Sequence, residues 1–263
     1  MLSHIREYHR PKTIEEALAL LRRPSVPTAI LAGGTQLVAR RAPGVNAVVD
    51  LQALNLQGIR MDASAVHIGA MTPIQDLIQS EVSRQYASGL LAKAARHCAP
   101  RNIRNAATIG GTVASADSRD ELYVALVACG ATVILNEEEG SGLAIEALTP
   151  ERLRYDIITR IVVPPAHCGV LERVARTPSD RAIVAVAAVR APYAGGRSLC
   201  RVAIGGISPR VVTATTVASD ASQARSELRW HVDTPLGDAV ASAPYRQAVT
   251  DVLVSRAIEA LWR

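Results

Sequence analysis

The chain has 263 residues, of which 49% are hydrophobic and 20% charged, and this composition predicts two or three small globular domains. The net charge of +5 comes from scattered arginines and aromatic residues make up only 3% of the chain, which argues against a nucleic-acid-binding protein. The first residues lack the apolar core of a signal peptide and no run of about 18 apolar residues occurs, so we expect a cytoplasmic protein without a membrane segment.

The cysteines and histidines do not predict a metal site. Cys98, Cys129, Cys168 and Cys200 lie more than 30 positions apart, without the close spacing of zinc or iron–sulfur ligands. The six histidines are equally dispersed. We therefore expect four buried thiols and no metal.

The N-terminal segment predicts a small parallel β-α-β unit. Thr13 and Glu16 fit a capping box for a helix over about residues 14–22. Residues 29–31 and 47–50 have the pattern of buried strands, with a glycine turn and a short helix between them.

The following segments alternate between helices and strands. Thr72 and Pro73 are typical of the N-cap and first position of a helix ending near Ser80, and a longer helix is predicted over about residues 83–98. A second capping box, Ser118 to Glu121, predicts a helix ending at Cys129. The predicted strands are 65–70, 131–135, 143–147, 157–163, 171–176, 183–190 and 199–207, with an acidic hairpin at 136–142, a domain boundary at Pro164-Pro165 and a final helix over 244–262.

Two Gly-Gly-Thr turns, at residues 33–35 and 110–112, are the main functional signal. Glycines next to hydroxyl side chains leave backbone N–H groups uncovered, and several such groups aimed at one point bind an anion. Two turns of this kind suit the two halves of a pyrophosphate. Each turn alone also fits an ordinary strand-to-helix connection, and neither matches the dinucleotide-binding or P-loop consensus.

Several stretches together resemble one family. They are residues 8–17 (Tyr-His-Arg-Pro-Lys-Thr-Ile-Glu-Glu-Ala), 32–35 (Ala-Gly-Gly-Thr), 103–111 (Ile-Arg-Asn-Ala-Ala-Thr-Ile-Gly-Gly), 179–184 (Ser-Asp-Arg-Ala-Ile-Val), 203–207 (Ala-Ile-Gly-Gly-Ile) and 243–246 (Ala-Pro-Tyr-Arg). In order and spacing they are similar to the FAD-binding medium subunit of molybdenum hydroxylases, such as the flavoprotein subunits of carbon monoxide dehydrogenase and xanthine dehydrogenase.

The resemblance implies an α+β fold with FAD as cofactor. A PCMH-type FAD-binding domain is expected over residues 1–165, with subdomains of about 1–58 and 59–165, followed by a small α+β domain over 168–263. It places Glu121 near the ribityl chain and Ile158, or its neighbour Ile157, near the isoalloxazine ring. The other implied FAD contacts are Ala32, Gly33, Gly34, Thr35, Gln36 and Leu37 in the first turn and Thr108, Gly110, Gly111 and Thr112 in the second.

The resemblance also implies a function in electron transfer. As the FAD subunit of a multi-subunit molybdenum hydroxylase, the chain passes electrons from iron–sulfur clusters to an external acceptor, and an iron–sulfur small subunit and a molybdopterin large subunit are its partners. A free-standing FAD-dependent oxidoreductase and a scaffold that has lost FAD stay open as alternatives, as does homo-oligomerisation. No catalytic residue is identified.

Four positions depart from the family pattern. Lys is usual at position 29, where this chain has Ala29, and Asn is usual where Thr112 stands. Ser118 replaces a common proline and Glu121 a usual Asp, and Glu121 also fits its alternative role in the capping box. Loss of one charge-assisted hydrogen bond costs about 1.5–3 kcal/mol, or about one to two decades of affinity, so weaker FAD binding is expected.

Overall fold

A three-stranded parallel sheet forms the N-terminal part of the computed structural model, which describes residues 5–39, 44–137, 140 and 142–263. Its strands are β1 (Glu7–His9), β2 (Thr28–Leu31) and β3 (Ala47–Asp50), in the order β1-β3-β2. Helix α1 (Ile14–Leu21) follows β1, and α2 (Thr35–Ala39) connects β2 to β3. The predicted parallel β-α-β unit is therefore confirmed, as is the N-cap at Thr13, whose hydroxyl accepts the Glu16 N–H at 3.2 Å.

A five-stranded antiparallel sheet forms the middle of the molecule, in the order β4-β5-β8-β6-β7. Its strands are β4 (Ile59–Met61), β5 (Val66–Gly69), β6 (Thr132–Leu135), β7 (Leu143–Ala144) and β8 (Ile158–Val163). The helices of this part are α3 (Ile74–Gln79), α4 (Glu81–Gln85), α5 (Leu90–His97), α6 (Arg101–Ala106), α7 (Ile109–Ser115), α8 (Glu121–Ala128) and α9 (Pro150–Leu153). The predicted acidic hairpin lies partly outside the described residues, which omit 138, 139 and 141.

Two helix predictions in this part are wrong. The single helix over 83–98 is broken between α4 and α5, because Ala87 and Ser88 adopt left-handed conformations with φ of 46° and 58°. Thr72 does not cap α3, which begins after Pro73, and its hydroxyl instead bonds the backbone of Gly58, 14 residues earlier. In both places tertiary contacts override the local helix signal.

The C-terminal part is a four-stranded antiparallel sheet covered by two helices. The strands are β9 (Cys168–Val174), β10 (Val184–Pro192), β11 (Ser198–Gly205) and β12 (Val212–Ala218), in the order β12-β11-β10-β9. Helices α10 (Ala221–Glu227) and α11 (Ala243–Leu261) complete it, and β12 and α10 were not predicted. Along α11, Leu253 and Ala257 face the core as predicted, whereas Val249 and Ala260 are only partly buried.

Helix α8 joins the central and C-terminal parts. All eight of its residues are buried, which explains why its sequence is apolar on every side rather than along one stripe. The central core also contains Ala187, Val189 and Ala203 of the C-terminal sheet. In the described part of the chain, no helix is both long and apolar enough to cross a membrane.

Candidate cofactor site

The two glycine turns meet in one cleft of about 810 Å³. The first turn follows the carboxyl end of β2, and the second forms the start of α7. Gly33 packs directly against the segment that leads into the second turn, since a Cβ built on it would lie 1.7 Å from the carbonyl oxygen of Ala106, four residues before Gly110. Only a residue without a side chain fits at position 33, and the cleft has the size of a cofactor pocket.

The first turn presents backbone donors to this cleft. Gly34 has a φ of +71°, which reverses the chain between β2 and α2. Its carbonyl accepts the Val38 N–H at 2.9 Å, whereas the N–H groups of residues 33–37 have no hydrogen-bond acceptor within the described ranges. These donors lie at the start of a helix, where the peptide dipoles also favour a negative charge. The prediction of uncovered N–H groups agrees with the geometry at this turn.

The second turn differs, and the prediction of uncovered N–H groups is wrong there. Gly110 donates its N–H to the Ala70 carbonyl at 2.9 Å, and Ile109 donates to the Thr72 carbonyl at 3.0 Å. The Gly111 and Thr112 N–H groups bond the side chain and carbonyl of Thr108, the N-cap of α7. This turn is therefore anchored to the segment after β5. It offers hydroxyl groups instead, because the buried Thr112 side chain has no protein partner in the part of the chain that the structure describes.

The structure brings together all but one of the residues predicted to contact FAD. The cleft is lined by Ala32, Gly33, Gly34, Thr35, Gln36, Leu37, Thr108, Gly110, Gly111, Thr112 and Ile158. Ile157, the alternative to Ile158, is instead fully buried in the N-terminal core. That these residues contact FAD stays a prediction.

Glu121 is the exception. It is buried away from the cleft lining, and its Oε1 accepts a hydrogen bond from Arg173 Nε at 3.0 Å. Burial raises the pKa of this carboxyl to about 7. The ion pair links the start of α8 to β9, so the geometry gives Glu121 a structural contact, whereas its predicted contact with FAD has no support from the lining of the cleft.

The predicted capping box at Ser118 is wrong, and Asp120 is the N-cap of α8. Asp120 Oδ1 accepts the N–H groups of Leu122 and Tyr123 at 2.9 and 3.2 Å. The Ser118 hydroxyl donates to the Ser208 carbonyl at 2.8 Å, across to the C-terminal part. Glu121 is thus the first residue of the helix rather than the third.

Sequence reasoning missed several residues that line the cleft, among them Cys98 and Asp120. The Cys98 thiol donates to Asp120 Oδ1 at 3.4 Å, and burial raises the pKa of both groups. Asp120 directly precedes Glu121, the residue that the resemblance places near the ribityl chain. The signal that could have identified it is its residue type and place, because Asp is a preferred N-cap and Asp120 stands directly before the largely apolar run of α8.

Comparison with known proteins agrees with this geometry. Residues 3–166 match the family model described as the FAD binding domain in molybdopterin dehydrogenase. The chain is 28% identical over 278 residues to the carbon monoxide dehydrogenase medium chain of Hydrogenophaga pseudoflava, an alignment that covers 97% of this chain and 96% of the relative. It is 30% identical to the corresponding chain of Afipia carboxidovorans, covering 96% and 95%. The solved structure of the Hydrogenophaga pseudoflava carbon monoxide dehydrogenase that lacks the Mo-pyranopterin moiety superposes with a TM-score of 0.80 at 27% identity, covering 97% of this chain and 96% of that one.

Proposed function

We propose that this chain, which belongs to the family of FAD-binding domains in molybdopterin dehydrogenases, is the electron-transfer subunit of a multi-subunit molybdenum hydroxylase. The observation that supports the proposal is the cleft between the two glycine turns, with a row of unpaired backbone donors on one side. The chain is a flavin-dependent oxidoreductase subunit, and FAD is its cofactor.

The residues of the cleft suit FAD. The N–H groups of residues 33–37, which have no acceptor in the part of the chain that the structure describes, match the needs of a pyrophosphate, because each phosphate oxygen that leaves water requires a donor. Apolar side chains such as Leu37, Ile103 and Ile158 line the same cleft and suit an aromatic ring system. The residues present therefore fit the cofactor that the family binds.

Each turn has a separate task in this proposal. The first turn would hold the phosphates through its N–H groups and the Thr35 hydroxyl, which has no partner among the described residues. The second turn would position the cofactor through Thr112 and through the rigidity that its bonds to Ala70 and Thr72 provide. Bound FAD would supply the redox chemistry, taking electrons singly from iron–sulfur clusters and delivering them to an external acceptor.

The partners follow from the same proposal. The relatives are named as medium chains, and we propose that an iron–sulfur small subunit and a molybdopterin large subunit assemble with this chain. We propose residues 1–165 as the FAD-binding domain and 168–263 as the C-terminal domain. We also propose a cytoplasmic location, where the four free thiols would stay reduced.

The test is a reconstitution experiment. The chain would be purified with FAD, alone and with the small and large subunits encoded beside it, and the flavin absorbance would be followed after a substrate of the large subunit is added without oxygen. Bleaching that requires both partners supports the proposal. Bleaching of the isolated chain by a small organic substrate would instead identify a free-standing flavoenzyme, and a chain that retains no flavin in either preparation would refute FAD binding.

A further inference from the structure

Arg154 supplies the only positively charged side chain in the described lining of the cleft. It follows α9 directly and is exposed. Its guanidinium lies 5.4 Å from the centre of the Tyr155 ring, and it forms no ion pair with any described residue. The side chain is therefore free to turn toward an anion in the cleft.

Apart from Arg154, the described lining of the cleft carries no positive charge. Its lining contains two carboxylates, Asp120 and Asp156, and Asp156 is already paired with Arg22 at 3.1 Å. Arg104 lies nearby on α6, but its guanidinium is bonded to the Gln75 side chain and to two backbone carbonyls. Among the described residues, a ligand with two negative charges thus meets backbone dipoles and one cation without an ion-pair partner, Arg154.

Arg154 lines the same cleft as Ala29, the position at which the family usually has a lysine. Ala29 lies on β2 and lines the same cleft. The Arg22 side chain, at the end of α1, donates to the Tyr155 carbonyl at 3.0 Å and to Asp156. These bonds tie the segment after α9 to the residue that follows α1, and Ala29 and Arg154 both line the cleft.

We propose that Arg154 binds the pyrophosphate of FAD and replaces the cation that Ala29 lacks. The inference rests on FAD binding in this cleft, but it assigns the charge to a residue outside both glycine turns. An arginine serves this purpose well because its planar guanidinium donates two parallel hydrogen bonds to phosphate oxygens.

The experiment measures dissociation constants of FAD, ADP and riboflavin for the full chain and its variants at low and high salt. For Arg154→Ala we expect about tenfold weaker binding of FAD and ADP, both of which carry the pyrophosphate, and a reduced dependence on salt. Riboflavin, which has no phosphate, should bind equally well. Arg152→Ala is the matched control, since Arg152 lies on α9, is exposed and does not line the cleft.

Moving the positive side chain from position 154 to position 29 makes the test specific. Adding Ala29→Lys to Arg154→Ala should restore most of the lost affinity for FAD and ADP. Unchanged FAD binding by Arg154→Ala would overturn the inference while leaving FAD binding by the chain intact. An equal loss for riboflavin would also overturn it, because the contact would then be to the flavin ring. A wild-type chain that binds neither FAD nor ADP would refute the cofactor site itself.

Discussion

The close contact between Gly33 and the Ala106 carbonyl, just before the second glycine turn, makes Gly33→Ala the most informative substitution. The added methyl group would lie 1.7 Å from the Ala106 carbonyl oxygen and 2.6 Å from its carbon. Backbone atoms cannot rotate away as a flexible side chain does, so the first turn and the Ala106 backbone must part by about 1.5–2 Å to restore van der Waals contact.

Two effects of different size follow from that displacement. Overpacking of this kind costs about 1–3 kcal/mol, and we expect the upper half of this range, which lowers Tm by roughly 5–10 °C. A shift of that size also breaks hydrogen bonds from the first turn to the phosphates. Losing two bonds to a charged group weakens FAD binding by about 100-fold or more.

The assay combines thermal unfolding of the FAD-free chain with FAD titration followed by flavin fluorescence. Gly142→Ala is the matched control, because among the described residues its Cβ would meet nothing nearer than Thr132 Oγ1 at 3.4 Å, and Gly142 is not part of the described lining of the cleft. The control should keep both the wild-type Tm and the wild-type affinity. A Gly33→Ala chain that also keeps both would refute the close approach of Gly33 to the Ala106 backbone.

Three further predictions concern the surroundings of the cleft. Asp120→Ala removes the N-cap of α8 and should lower the free energy of unfolding of the FAD-free chain by about 1–2 kcal/mol in urea. Burial raises the pKa of Glu121 from its ordinary value of 4.5 to about 7, so the folded state binds more protons than the unfolded state between these pH values. The stability of the wild type relative to Glu121→Gln should therefore fall by about 1–3 kcal/mol as pH rises from about 5 to about 8. Arg246→Met removes a buried guanidinium that donates to Asp238 and to the carbonyls of Ile183 and Gly206, and should cost about 3–5 kcal/mol by urea unfolding.

Each of these has an outcome that contradicts it. An Asp120→Ala chain as stable as the wild type would show that the cap contributes nothing. A stability difference between wild type and Glu121→Gln that stays flat or grows with pH would refute the raised pKa. For the buried arginine, Arg225→Ala is the control, since Arg225 forms an exposed pair with Glu259. Equal effects of the Arg225 and Arg246 substitutions would contradict the argument from burial.

Short-range patterns allowed much of the N-terminal part to be predicted. Thr13 and Glu16 stand three residues apart, and their contact belongs to the first turn of α1. The strand, glycine turn and helix over residues 28–39 are likewise local, because the turn must reverse the chain within a few residues. The same locality explains why the donors of the first turn were predicted correctly.

Long-range contacts decided the features that were not predicted. The N–H of Gly110 is bonded to Ala70, 40 residues earlier, and Ser118 is bonded to Ser208, 90 residues later. Local spacing contains no information about either partner. The capping box at Ser118 therefore matched the sequence pattern, while the folded chain placed Asp120 at the cap.

The sequence by itself determined the alternation of helices and strands around two glycine turns and, through resemblance, the FAD-binding family. Hydrophobic period and glycine conformational freedom are properties of a few neighbouring residues, so they can be recognised without a structure. Only the tertiary structure decided which turn keeps N–H groups without an acceptor among the described residues, that Asp120 rather than Glu121 lines the cleft, and that Arg154 lines the same cleft as Ala29. These features depend on which distant segments supply the partner of each hydrogen-bonding group when the three sheets pack together.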